Sequence, residues 1–179
     1  MKKHILFLIL LNSLTGYSQK FISTSSEVNF FSSSPVEDIE AKNTKAKSIF
    51  DTETGNIVFV IPISSFKFDK SLMQEHFNEK YMESDKFPKA TFKGKITGFD
   101  AKAEGAQKVN AKGKLIIHGV EKSIDAKGEM TFQNGEIVLR HEFKVTLKDY
   151  EIEIPQILWQ NIAEIIDVKI AFDYKAHEK

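Results

Sequence analysis

The chain has 179 residues, 41% of them hydrophobic, with 15 Phe, one Trp and no Cys, and its 25 basic side chains balance 25 acidic ones. That length and apolar content suit one domain with a full core and exclude a disordered chain. The missing cysteines exclude disulfide scaffolds, thiolate metal sites, Cys nucleophiles and a lipidated N-terminal cysteine. With Arg140 as its single arginine, the chain carries neither a basic footprint nor the bidentate forks that read phosphate and guanine, so no nucleic-acid partner is expected.

Lys2 and Lys3, the short apolar run 5–11, and the small residues Gly16 and Ser18 read as a secretory signal cleaved after Ser18. This divides the chain into a signal peptide, 1–18, and a single mature domain, 19–179, that is periplasmic or secreted. Lys2 and Lys3 leave with the signal, so 23 of the 25 basic side chains remain against 25 acidic ones, a net charge of about −2. No later stretch approaches the ~20 apolar residues of a spanning helix, so an integral membrane protein is not expected.

Residues 27–33 alternate, with Val28 and Phe30 on one face, and Ser34-Pro35 ends the run. Residues 38–51 are polar with weak alternation through Ile39, Ala41 and Ile49, and TETGN at 52–56 is a hairpin turn. Ile57, Phe59, Ile61 and Ile63 then share a face, while Pro62 predicts an edge, a bulge or a bend, and Phe66 and Phe68 carry the apolar face onward. From Asp69 to about Tyr81 the spacing becomes helical through Leu72, Met73, His76 and Phe77, with Asp69 or Ser71 as the expected N-cap. Pro88 closes the helix, and 90–99 returns to period two with Ala90, Phe92, Gly94 and Ile96 inside.

The clearest hairpin is 109–132. Val109, Ala111, Gly113, Leu115 and Ile117 share the inner face of its first strand, and Ile124, Ala126, Gly128, Met130 and Phe132 that of its second, around a turn expected at 118–122. The small residues on that face either leave internal space or let the sheet bend sharply. Asn134-Gly135 is a strong hairpin turn, after which Ile137, Leu139, His141, Phe143, Val145 and Leu147 alternate inward. Pro155 punctuates the chain, and 166–174 is the last strand, making about eight strands and one helix.

Among polar candidates, His141 falls on an apolar face, where an imidazole needs a partner such as a ligand head group or a carbonyl. His118 lies in a turn and is expected to be exposed, whereas His76 falls on the apolar side of the helix. Tyr81, Tyr150, Tyr174 and Trp159 could line an entrance. The scattered histidines form no metal-ligand pair, and no nucleophile elbow, phosphate loop or dinucleotide fingerprint is present. No catalytic residue, metal or cofactor is therefore expected.

Alternation leaves a sandwich and a closed barrel both open. The run FKFDKSLMQEHFNEKYMESDKFPKATFKGKI at 66–96, GKLIIHGVEKSI at 113–124 and LKDYEIEIP at 147–155 together resemble the YceI family. The most specific pieces are Phe87-Pro88 with Ala90, Phe92 and Gly94, and the turn from Leu115 to Lys122. The likeness covers nearly all of the mature chain, although 38–49 is more polar than the family pattern. It implies an all-β, lipocalin-like antiparallel β-barrel with one amphipathic helix inserted between strands, whose apolar lumen holds a polyisoprenoid, an isoprenoid quinone or a related lipid.

On that reading, the lumen wall is Phe30, Phe59, Ile61, Phe92, Gly94, Ala111, Gly113 and Leu115, continued by Ala126, Gly128, Met130, Leu139, His141 and Phe143. Leu72, Met73, His76 and Phe77 close the mouth. An eight-stranded barrel is wide enough either for its own side chains or for one slim ligand, so a structural or interaction barrel with a filled core is the alternative. A small transmembrane barrel with inward lysines is a third reading and a lipid-modifying enzyme a fourth; the sequence also leaves a homodimer open.

Overall fold

In a computed structural model, residues 20–154 and 162–177 are described. The strands are β1 (Lys20–Ser32), β2 (Ile39–Asn43), β3 (Lys47–Asp51), β4 (Asn56–Pro62), β5 (Lys67–Phe68), β6 (Lys89–Thr97), β7 (Gly105–Ile117), β8 (Val120–Gln133), β9 (Glu136–Thr146) and β10 (Ile165–Ala176). Eight of them form an antiparallel ring in the order β1-β3-β4-β6-β7-β8-β9-β10, and β10 pairs back onto β1 from Phe21↔Ala176 to Phe31↔Asp167. The chain is therefore a closed barrel, which leaves no sheet edge along most of its circumference. β2 pairs with the far end of β1, and β5 lies against β2.

The first strand begins at Lys20, well before the expected start at Glu27. Its Ser-rich beginning lacks apolar alternation, but Phe21 is 0% and Ser23 6% exposed, and backbone pairing to both β3 and β10 holds the segment. The polar stretch 38–51 forms two strands. Ile39, Ala41 and Asn43 point inward on odd numbers, whereas Ala46, Ser48 and Phe50 are buried on even ones, so the facing flips across the break between β2 and β3. Ile49, expected to share a face with Ala41, consequently points outward and is 48% exposed.

The fully buried polar side chains Asn43 and Ser48 and the Tyr174 hydroxyl are satisfied internally. Asn43 Nδ2 donates to the Pro62 carbonyl at 2.8 Å, and Asn43 Oδ1 accepts from the Lys45 N–H at 2.8 Å. Tyr174 donates its hydroxyl proton to Ser48 Oγ at 2.8 Å, and the Ser48 N–H donates to Ser23 Oγ at 2.9 Å.

The expected helix is α1 (Ser71–His76), continued by a wider turn over Phe77–Tyr81. Its N-cap is Lys70, in extended geometry and without a side-chain cap bond, in place of Asp69 or Ser71. The hairpin turn expected at 118–122 is tighter: Ile117 pairs with Val120, and His118 and Gly119 take φ of 51° and 78° in a two-residue turn. Asn134 and Gly135 adopt the same geometry, at 52° and 77°. The expected signal peptide, cleavage site and Trp159 lie outside the described residues.

Outside the barrel, lysines and acids pair across neighbouring strands: Lys112 with Asp125 at 2.9 Å, Lys114 with Glu121 at 3.2 Å, and Lys169 with Glu142 at 3.2 Å. At more than half exposure on either side, these pairs are screened by water and serve mainly as a solvated outer face. Inside, one end of the barrel is packed solid. Phe21, Phe50, Met130, Ile137, Phe172 and Tyr174 are each at most 1% exposed, and edge-to-face contacts tie Phe21 to Phe132 at 6.3 Å and Phe50 to Phe99 at 5.3 Å.

Candidate functional site

The other end of the barrel is hollow. Its cavity of about 300 Å³ is bounded by the C-terminal parts of β1, β4, β7 and β9, the beginnings of β6 and β10, and α1 with its following turn. The floor is aromatic: Phe59 meets Phe172 edge-to-face at 4.9 Å and Phe92 at 6.1 Å, one inward step below the lining residues Ile61 and Ile170. At the mouth, Phe77 reaches from the helical segment into a cluster with Phe30 at 5.5 Å, Phe66 at 5.6 Å and Phe68 at 5.0 Å.

Of the residues expected in the lumen, Phe30, Ile61, Leu115 and Phe143 line this cavity, joined by Met73, His76 and Phe77 from the expected mouth. Leu72 is 59% exposed and does not line it. Phe59 and Phe92 form the floor, while Met130 and Leu139 belong to the packed core at 0% and 6% exposure.

The glycines do not open space there. A Cβ on Gly94 would lie 2.6 Å from the Phe92 ring, and one on Gly113 would lie 2.5 Å from Gly94 Cα and 2.8 Å from the same ring. Their missing side chains accommodate that ring and the close pairing of Gly94 with Gly113, opposite which Ala111 pairs with Ala126. Gly128 instead faces His141, whose Nδ1 would lie 3.5 Å from an added Cβ.

Val28, Phe66, Phe68, Ile152, Ile166 and Val168 line the cavity without having been assigned to the lumen from the sequence, although Val28, Phe66 and Phe68 were placed on apolar faces. Ile166 and Val168 carried the inward alternation needed to find them. Phe66 and Phe68 continued an apolar face but sit past a turn and in a two-residue strand, and Ile152 follows a turn, where periodicity carries no signal.

Polar groups around the cavity are few, Ser32, His76 and Tyr81 among its lining. Ser32 Oγ accepts the Ala163 N–H at 2.8 Å, and burial raises the Tyr81 phenol above its ordinary range. His141, half-buried on the inner face, stacks on Phe143 with ring centroids 5.8 Å apart. Burial pushes its imidazole below the usual range, against an opposing pull from Glu142.

His118, expected in solvent, is instead buried to 10% side-chain exposure: its Nε2 lies 2.9 Å from Glu83, its Nδ1 3.2 Å from the Tyr150 carbonyl, and its ring 4.5 Å from that of Phe87. It clamps the turn after the helix and the β7–β8 turn to the segment after β9. Among the described residues no group of three His, Cys, Asp or Glu is placed to hold a metal ion. An uncharged, aromatic-floored slot can solvate an alkyl or isoprenoid chain, and its lining offers no paired acid and base.

A family model described as YceI-like domain matches residues 19–176. Among solved structures, a polyisoprenoid-binding domain from Saccharophagus degradans, implicated in plant cell wall breakdown, is similar at a TM-score of 0.76 and 18% identity, over 88% of this chain and 98% of that one. BcnA of Burkholderia cenocepacia is similar at a TM-score of 0.69 and 17% identity, over 83% of this chain and 95% of that one. The YceI protein of Campylobacter jejuni follows at 0.63 and 18%, over 80% and 88%. No curated protein matches the chain in sequence.

Proposed function

The chain belongs to the family of YceI-like domains, and from that premise we propose that it is an exported, soluble carrier that holds a long-chain amphiphile, a polyisoprenoid or isoprenoid quinone, in its barrel. The observation that carries this reading is the division of the barrel into a packed end and a hollow apolar end of about 300 Å³. A core with no ligand to hold would be expected to fill both. The binding of a polyisoprenoid by the Saccharophagus degradans neighbour supports the same ligand class. Export rests on the N-terminal residues 1–18, read as a cleaved signal that leaves residues 19–179 as the mature protein in the periplasm or outside the cell.

At roughly 30 Å³ per water-sized group, the cavity holds about ten carbon-sized groups. Burying them is worth on the order of 8 kcal/mol at ~0.8 kcal/mol per methylene, before the costs of immobilisation. Holding, not converting, the chain is the chemistry this lining supports. The outward lysines argue against a transmembrane barrel, whose lipid face must be apolar. None of the described helices is long and apolar enough to cross a membrane.

Native mass spectrometry of the detergent-free protein, before and after incubation with geranylgeraniol, tests the proposal. One co-purifying or added isoprenoid per barrel supports it, and an unchanged apo mass at saturating lipid refutes it. The packed end favours a second reading, a structural or interaction barrel, and that refuting result would select it.

A further inference from the structure

The barrel wall has its longest run of unpaired strand edge between β8 and β9. β1 and β3 pair only from Lys20↔Asp51 to Ile22↔Ile49, but hydrogen bonds from Ser26 Oγ to the Ala46 carbonyl, from the Ser48 N–H to Ser23 Oγ and from Asn43 Nδ2 to the Pro62 carbonyl bridge the wall on that side. β7 and β8 stay paired as far as Ile117↔Val120, and β9 and β10 as far as Thr146↔Ile165, but β8 and β9 pair only from Gln133↔Glu136 to Glu129↔Arg140. Beyond that point residues 120–128 of β8 and 141–146 of β9 run on as strands with their facing edges unpaired among the described residues.

Burial follows the gap. Inward-facing Met130, Ile137 and Leu139, inside the paired zone, are 0%, 0% and 6% exposed and Phe132 is half-buried, whereas Ile124, Ala126, Gly128, His141 and Phe143 along the unpaired edges are all half-buried, with Val145 at the cavity end buried again at 7%. At its base the gap ends on His141, against Gly128. Its top is bounded by the contact of 3.2 Å between His118 Nδ1 and the Tyr150 carbonyl. It is thus a window in the wall, and Phe143 and Val145 on its β9 side also line the cavity.

One charge stands on the inner side of this frame. Lys122 pairs with Leu115, a cavity-lining residue, so both occupy the same face of the sheet; yet Lys122 is exposed and makes no ion pair among the described residues. The other lysines of β7 and β8 near it, Lys112 and Lys114, face outward and pair with Asp125 and Glu121.

We propose that the bound amphiphile enters and leaves through the window between β8 and β9 and rests its head group against Lys122 and the unpaired strand edges, which favour an acidic isoprenoid, a carboxylate or phosphate, over its neutral counterpart. Its chain then lies in the cavity, an assignment that rests on the carrier reading above. The alternative route, through the mouth under α1, is crossed by the four-phenylalanine cluster around Phe77, which would have to part for a chain to pass. Unpaired backbone N–H groups at a strand edge are ready donors for a carboxylate or phosphate oxygen, and a lysine beside them adds a point charge.

The chain has no cysteine, so a single engineered pair can staple the window. Continuing the β8–β9 register by two residues places Lys127 opposite Glu142, and in Lys127→Cys/Glu142→Cys a disulfide would zip the strands together. Stopped-flow fluorescence with retinol, a fluorescent isoprenoid alcohol whose polyene tail ends in a single ring, should show uptake and release slowed at least ~10-fold in the oxidised protein and restored by dithiothreitol. Ala126→Trp, which plugs the window without a cross-link, should slow both in the same way.

Equal rates in the oxidised and reduced proteins and in Ala126→Trp would overturn the window while leaving the cavity as the binding site. Absence of retinol uptake by the unmodified protein would overturn the carrier reading and the window together. For the head group, Lys122→Gln should weaken retinoic acid on the order of 5-fold and leave retinol unchanged, and equal effects on the two ligands would overturn the role of Lys122.

Discussion

Ala90 lines the hollow end at 9% exposure, opposite Ile61 on the neighbouring strand, and replacing it with Phe sets a phenyl ring inside the cavity. The space of about 300 Å³ holds roughly ten carbon-sized groups, of which the ring takes about half. A chain that loses burial of about five groups loses up to ~4 kcal/mol, and a shift of the ligand toward the window recovers part of it. A net loss of ~2 kcal/mol corresponds to Kd rising on the order of 30-fold. Overpacking costs the fold ~1–3 kcal/mol, a few degrees of Tm per kcal/mol in a domain of this size, so the barrel still forms. Retinol fluorescence titration gives Kd, and thermal circular dichroism checks folding. A folded Ala90→Phe protein whose Kd stays within about 3-fold of the parent would show that the ligand does not occupy this cavity.

Tyr174→Phe removes the proton donor to Ser48 in the packed end, at a cost of about 1–2 kcal/mol in urea unfolding. Burial raises the Tyr174 phenol above its usual range, so the unfolded chain releases that proton first. The stability it contributes is whole below about pH 10 and lost as pH rises beyond it, by up to ~1.4 kcal/mol per pH unit. The gap between wild type and Tyr174→Phe should therefore narrow in alkali, and a constant gap would refute the assignment. His141 has the opposite sense: burial lowers its imidazole, so the unfolded chain takes up a proton near pH ~6.5 while the folded one resists it. Wild type should lose urea midpoint relative to His141→Gln as pH falls from about 7 to about 5, and parallel pH curves would count against this account. Gly113→Ala should cost ~1–3 kcal/mol, because the added carbon meets Gly94 Cα at 2.5 Å, whereas Gly128→Ala, with only His141 Nδ1 at 3.5 Å, should be neutral or slightly stabilising. Equal chemical-denaturation midpoints for the two variants would contradict the close packing of β6 on β7.

The positions of strands with one apolar face were legible because a pleat repeats every two residues. Ile57, Phe59 and Ile61 in β4, and Leu139, Phe143 and Val145 in β9, fall inward as their alternation predicts. Less was legible where burial is polar. Ser23, Asn43 and Ser48 are buried behind hydrogen bonds to distant residues, so β2, β3 and the start of β1 carry no hydrophobic rhythm, and the flip of facing between Ala41 and Phe50 passes unseen. His118 looked like an exposed turn residue because its carboxylate partner Glu83 is 35 positions away.

Local physics set the elements: alternation placed the strands, paired positive φ at His118-Gly119 and Asn134-Gly135 made the tight hairpins, and the helical segment ended at Tyr81, before Glu83 at positive φ and ahead of Pro88. What the interior does was decided by side chains meeting around a closed ring. The small residues of the central hairpin are equally compatible with a hollow and with a close approach. Only in the folded barrel does the Phe92 ring lie over Gly94 and Gly113, and only there does the space move to the end under α1. The parting of β8 from β9 is likewise not recorded in either strand's own pattern: β9 alternates through the unpaired stretch, and β8 alternates from Ile124 onward with only Lys122 interrupting its inner face. Register between strands is a relation between two segments, and a pattern along one of them does not record it.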